Sequence, residues 1–458
     1  MRILLALLAL VLSPAAAVGA QPVNVTVQRD GDAFTAEFNF PRAAPAWGFF
    51  RSSPDAESKR SWRLQSWRVL TPGVALQRHG SYDAFVSTSG RPVPPKVSVR
   101  FDPFTVDLVA DYVPALRLGG TSVAIFDGHF AVFSVNRVDI LDRLAPSGDP
   151  RLVIDTGTSI RFRGNNLRLA GDVEGYRRGD SEGTYGLYDV PRAVVRNSVA
   201  TVLDADLPKW IADDLASYSP RVMQVLSARL GPPDVKEPTI LAAWEGYRRE
   251  GVSMNGGTLK GLILMRFEGN QALSPVPALA DMAHWFIAHE ASHFWLGQSI
   301  HYATQRDSWI MEGGADLLAT RTVQSLNPAF DARGYLNDAL RDCSRLGTQP
   351  LATAIDRNEV RANYACGAVF ALVAEKANRG DFYVFVRKLI AANRADREVT
   401  MGEWLAALRR SGGTMAQVQT IRSMVERGTP QPSQTIANLL RGSAIPFLLD
   451  KNGVPQLQ

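Results

Sequence analysis

His289-Glu290-Ala291-Ser292-His293 sets two imidazoles four residues apart, one helical turn above each other on a single face. Two rings so placed can share one metal ion, and zinc is the usual occupant. Glu290, beside the first histidine, is turned off the ligand axis toward water on the metal. Glu312 follows after eighteen intervening residues, inside a second helical segment, and offers the third ligand. Asp316 is four further on and shares its face, so its carboxylate can accept the second ring N–H of a zinc histidine and fix the tautomer. The segment from about Ala278 to Leu296 is otherwise largely apolar, with Leu279, Met282, Trp285, Phe286, Ile287 and Phe294. Ionisable groups in such a helix cost on the order of several kcal/mol unless paired or coordinated. These residues imply a hydrolase with one zinc ion per chain.

The elements that must position this helix precede it. Leu207–Leu230 reads as a helix ended by Gly231-Pro232-Pro233, and Thr239–Trp244 and Gly261–Phe267 as strands of a small sheet. Ser274-Pro275 is expected to open the histidine helix, serine capping it and proline taking the first turn.

His289 to Gln298, then Trp309 and Glu312-Gly313, resemble the gluzincin aminopeptidases, a group that includes the membrane alanyl aminopeptidases, leukotriene hydrolase and, more distantly, the glycyl aminopeptidases. Asn363-Tyr364-Ala365-Cys366-Gly367-Ala368 is similar to the family's Tyr-x-x-Gly-Ala segment, which implies that Tyr364 donates to the oxyanion. The resemblance is specific over about residues 255–370. It implies a thermolysin-like zinc domain and a peptide substrate. It also implies an edge strand beside the zinc helix that pairs with extended substrate; the strand after Gly256 and Gly257 is expected in that role, with the two glycines in substrate binding. One departure stands out: family members carry Gly-x-Met-Glu-Asn before the zinc helix, and its glutamate holds the substrate amine. Here Asn255-Gly256-Gly257-Thr258-Leu259-Lys260 puts a leucine in that place. Glu268 is a candidate replacement.

Residues 1–20 read as a secretory signal peptide, with Arg2, an apolar run over Ile3–Leu12 and a small-residue cleavage site at Val18-Gly19-Ala20. A periplasmic or secreted protein is expected, with no transmembrane segment in the mature chain. From 21 to 200, alternation in Phe34–Phe40, Val97–Phe101 and Thr105–Leu108, with Gly- and Pro-rich joints between, predicts a β-sandwich or saddle domain. The catalytic domain is expected over 201–325 and a helical domain over 326–458, with helices at Asp331–Leu346, Val360–Ala377, Asp381–Ala392 and Thr400–Arg410 and a frayed tail from Lys451. The fold class is thus α+β and multidomain. Cys343 and Cys366 either pair across two helices or remain two buried thiols. His79 and His129 read as isolated surface or core side chains, His284 as a core residue or one supporting the metal site from outside, and His301 as a loop residue that is either exposed or lines the pocket.

The net charge of +5 rests on scattered arginines, which does not make a nucleic-acid surface. Three functions follow: an aminopeptidase-like zinc peptidase; an endopeptidase or another amide or epoxide hydrolase without amine recognition; or an inactive relative that binds peptides.

Overall fold

The computed structural model describes residues 22–145, 157–169, 183–190, 193–235 and 237–458; the expected signal peptide lies outside them. The chain is α+β, with a β-rich N-terminal part and a helical C-terminal region. Two N-terminal sheets enclose an aromatic core. One holds Val23–Asp30, Ala33–Asn39, Lys96–Phe101, Trp67–Val69 and Thr158–Arg163; the other holds Ala46–Phe49, Val74–His79, Tyr82–Ser87 and Val132–Val135. Phe34, Phe38, Phe49, Phe85 and Trp67 fill the space between them, as alternation in the first sheet requires. Thr105–Leu108 alternates too, yet forms no strand. Asp107 reaches across to Arg266, and Leu108 makes only an isolated bridge with Asp55.

A five-stranded sheet follows, ordered Val194–Arg196, Val199–Leu203, Thr239–Trp244, Leu262–Glu268 and Ser253–Leu259. Both of its faces are covered, and strand parity divides the side chains. Leu241, Ala243, Leu262 and Leu264 pack against a third N-terminal sheet through Leu116, Ala124 and Leu187. Ile240, Ala242, Ile263, Met265 and Phe267 face the helices. The helix-side core runs without a break from Val199 to Leu440, so the zinc helix and the C-terminal helices share one interior.

The edge of this sheet differs from expectation. Leu262–Glu268 is an interior strand, paired on one side with Thr239–Trp244 and on the other with Ser253–Leu259. Ser253–Leu259 is the edge, and it contains Gly256 and Gly257. Any side chain at Gly256 would run into the Leu264 carbonyl and Phe286, which is why the strand can lie so close to the zinc helix.

The C-terminal helices Ala332–Leu346, Arg361–Ala377, Phe382–Ala392 and Met401–Arg410 follow the expected spans, with Asp331, Asp381 and Thr400 capping three of them. Two more, Met415–Glu426 and Pro432–Gly442, come after. The tail is not frayed. Phe447–Leu449 and Pro455–Leu457 pair as a hairpin whose Leu457 N–H donates to Asn337 on the helix Ala332–Leu346.

Candidate metal centre

The first ligand helix spans Pro277–Ser292. Pro277, not Pro275, takes the first turn, and Val276 provides no side-chain cap. The regular helix stops at His293, and the chain continues through tighter turns in which Phe294 and Trp295 bond back three residues. His293 keeps helical torsions, so the one-turn spacing from His289 survives. Its Nδ1–H donates to the Leu296 carbonyl at 2.8 Å. Gln298, in the next turn, donates to the Leu259 carbonyl and accepts from Gly261 N–H, tying the ligand turn to the edge hairpin.

The second ligand helix, Ser308–Leu326, carries Glu312 and Asp316. The Nε2 atoms of His289 and His293 face each other at 3.1 Å, and Glu312 Oε2 lies 3.5 Å from each. One ligand atom from each of the three residues falls within 4.8 Å of the others. Asp316 Oδ1 stands 2.8 Å from His289 Nδ1. His293 thus spends its Nδ1 on a carbonyl and His289 sets its Nδ1 against a carboxylate, so both turn Nε2 inward, the arrangement a metal ligand needs.

The electrostatics describe a site built for a cation. Burial works against a charged His289, but Asp316 and Glu312 outweigh it and hold its proton affinity well above the usual range. His293 is raised too, Glu312 overcoming burial. Burial would raise the Glu312 carboxyl, yet the two imidazoles hold it far below the carboxylate range. Two inward nitrogens beside a buried carboxylate form an electron-rich pocket, and this donor set fits zinc.

Glu290 is buried on the same helix. The Thr258 hydroxyl lies 2.8 Å from Glu290 Oε2 and 2.8 Å from the Glu290 backbone carbonyl. Tyr364, on the helix Arg361–Ala377, stacks with His289 at 5.7 Å between ring centroids. Burial, with the Glu312 and Glu290 charges, pushes its phenol well above the ordinary range and keeps it a neutral donor. Trp285 also stacks on His289, at 5.3 Å, and holds Thr320 through its indole N–H.

The substrate-side residues divide by strand parity. Gly256 and Thr258 face the zinc helix, whereas Leu259 is buried between the sheets with Leu241 and Leu262. Gly257 faces Tyr112 of the N-terminal part, whose phenol donates to the Thr258 carbonyl at 3.2 Å. Glu268 pairs with Ser253 at the other end of the strand and bonds Arg249, so it is remote from Glu290. His284 stacks on Tyr218 and meets Asp214, joining the zinc helix to the helix Lys209–Leu230. His301 is half-exposed beside Glu398, outside the cluster, and His79 sits near Asp142. Cys343 and Cys366 are joined by a disulfide between the helices Ala332–Leu346 and Arg361–Ala377.

Thr258, Trp285 and Tyr112 were not among the expected site residues. Thr258 stands inside the segment quoted for its missing glutamate, and the parity of an edge strand was the one signal that pointed to it.

No protein-family model matches the chain, and no curated protein matches it by sequence. Solved structures do. Leukotriene A4 hydrolase from Saccharomyces cerevisiae is similar at a TM-score of 0.50 and 10% identity, over 90% of this chain and 68% of that one. An M1 zinc metallopeptidase from Deinococcus radiodurans gives 0.48 and 16% identity, over 90% of this chain and 94% of that one. The likeness to the yeast enzyme shows a shared fold.

Proposed function

We propose that the chain is a zinc-dependent hydrolase of peptide bonds. The observation that carries this reading is the convergence of His289 Nε2, His293 Nε2 and Glu312 Oε2 within 4.8 Å of one another, with Glu290 on the same helix. Zinc held there supplies a Lewis acid that polarises a carbonyl and lowers the pKa of water toward about 7. Glu290 takes the proton of the attacking water and passes it to the leaving amine. Tyr364, held neutral, donates to the carbonyl oxygen as that atom gains charge. Asp316 keeps His289 in its ligand tautomer. An extended peptide pairs along the edge strand at Gly256, where no side chain stands in the way.

The finer reading is an aminopeptidase-like enzyme. Tyr112 supports it: its phenol stands at the edge strand and donates to the Thr258 carbonyl, crowding the path an extended peptide would take past that point. Leu259 supports the second reading, an endopeptidase. Its side chain is buried between two sheets, on the face opposite Glu290, and cannot hold an amine. We also propose export. The apolar segment at the start of the chain supports it, as does the disulfide, a bond that persists in oxidising compartments. Among the described residues no helix is long and apolar enough to cross a membrane.

Incubating the zinc-loaded protein with free and N-acetylated copies of one peptide set tests both readings. Trimming of the free copies alone supports the aminopeptidase, and cleavage of the acetylated copies the endopeptidase. No hydrolysis of either, with zinc bound, overturns the peptidase.

A further inference from the structure

Glu290 can move a proton only if one carboxylate oxygen is aimed at the water beside the metal, and a glutamate side chain has three torsions to freeze. The helix narrows the first and leaves the other two free. The one described side chain shown bonding that carboxylate is Thr258, 2.8 Å from Oε2. The same hydroxyl is 2.8 Å from the backbone carbonyl of Glu290, so it is held against the residue from two directions. Thr258 belongs to the edge strand Ser253–Leu259 and not to either ligand helix.

We propose that Thr258 is the positioning residue of the general base, and that it couples substrate pairing on the edge strand to the orientation of Glu290. The proposal rests on the peptidase reading above. The hydroxyl carries one hydrogen and two acceptors are within its reach. With Glu290 charged it donates to Oε2 and leaves Oε1 for the water. When Glu290 carries the water's proton on Oε1, Oε2 still accepts, so the hydroxyl keeps donating to it while the Glu290 carbonyl accepts from the His293 N–H. Neither state strands an unpaired polar atom, which in a buried site would be costly.

The strand supplies the coupling. Thr258 faces Glu290 because Thr258 pairs with Ile263, a helix-side residue, while its neighbours Gly257 and Leu259 face the opposite way. Gly256, two residues earlier and on the same face, lies against Phe286 of the zinc helix and is the position where a peptide is proposed above to pair. A peptide paired there would lie on the same strand whose Thr258 hydroxyl meets the base. Tyr112, bonded to the Thr258 carbonyl, holds the strand from its other side.

The test compares zinc-loaded wild type, Thr258→Val and Thr258→Ser. Valine keeps the β-branched shape that suits a strand and deletes only the hydroxyl. The expected result is a kcat lower by about 10- to 100-fold in the valine variant, the range that misplacement of a reacting group produces. KM and zinc content should stay near wild type, and serine should restore most of the rate. A purely structural role would lower melting temperature or zinc content instead, and serine would rescue poorly. An unchanged kcat in the valine variant, or a loss confined to KM, overturns the proposal. Crystal structures of the zinc-loaded wild type and valine variant give a second readout. The Glu290 carboxylate should contact the Thr258 hydroxyl in the first and rotate away in the second; an identical rotamer in both overturns the proposal. Should the wild type hydrolyse no peptide while these rotamers differ, the peptidase reading fails and the positioning of Glu290 by Thr258 stands.

Discussion

Gly313 and Gly367 lie back to back where the helix carrying Glu312 crosses the helix carrying Tyr364. A Cβ on Gly313 would stand 2.0 Å from the Gly367 carbonyl carbon, and one on Gly367 2.2 Å from the Trp309 carbonyl oxygen. The two backbones touch directly. Glu312 is the residue before one glycine and Tyr364 is one turn before the other, so this crossing brings a member of the candidate metal-binding group and the proposed oxyanion donor into the same site.

A methyl group at this crossing must therefore separate the helices. Gly313→Ala and Gly367→Ala should each destabilise the protein by about 1–3 kcal/mol, the usual range for overpacking. Activity should fall further than the stability loss explains. Thermal melts and initial rates on the same samples check this, and wild-type values in both would remove the crossing from the account.

Asp316 touches no substrate, but its carboxylate fixes the His289 ring. Asp316→Asn should weaken zinc binding by about 10–100-fold, as loss of such partners does. Competition with a chromogenic chelator measures it; an unchanged zinc affinity would mean that His289 is oriented by its ring stacking alone.

The Cys343–Cys366 disulfide closes a span of 23 residues and pins the Tyr364 helix to its neighbour. Its removal, as Cys343→Ser with Cys366→Ser, should cost about 3 kcal/mol on the chain-entropy scale for such a loop. Because Cys366 is one helical half-turn from Tyr364, kcat should fall with little change in KM. Melting and kinetics with and without reductant give the same comparison on the wild type.

A pH effect is expected in the N-terminal part. Burial lowers the His129 imidazole to about 3 and raises the Asp127 carboxyl to about 7, where a Thr184 N–H and Arg51 oppose the rise. Below about 6.5 the unfolded chain protonates His129 while the folded one does not, so that group loses stability as pH falls. Asp127 acts oppositely: from about 7 down to about 4 the folded state binds its proton first, and stability rises as pH falls. The two slopes offset each other. Asp127→Asn removes one of them, so urea melts of that variant should show stability dropping between pH 6.5 and 4, by at most about 1.4 kcal/mol per unit. A flat profile in the variant would contradict the assignment.

The metal ligands were legible from spacing because helix pitch is local: residues four apart share a face in any helix. Asp316 followed the same logic from Glu312; Glu312 itself entered on its eighteen-residue gap from the histidines, and Tyr364 through a resemblance, the Gly313–Gly367 crossing bringing the two together. Thr258 was not legible, because its partner is 32 residues away and its facing depends on the pairing register of an edge strand. Register also made Ser253–Leu259, where no strand was expected, the edge, and turned the expected edge strand Leu262–Glu268 into an interior one. The alternation in Thr105–Leu108 misled because a charge pair with Arg266 fixed that segment instead of a ladder. The pairing of the cysteines depended on two helices lying side by side, which spacing alone does not report. The C-terminal hairpin was missed because its order comes from a hydrogen bond to Asn337, more than a hundred residues earlier.

The central claim is that Glu290 acts as base beside a metal held by His289, His293 and Glu312. Its most direct test is mass spectrometry of a mixed peptide library after incubation with zinc-loaded wild type and Glu290→Gln, with zinc measured in both. Each protein should carry one zinc per chain, with cleavage by the wild type and none by the variant. Cleavage by Glu290→Gln at the wild-type rate, or an inert wild type with zinc in place, would contradict it.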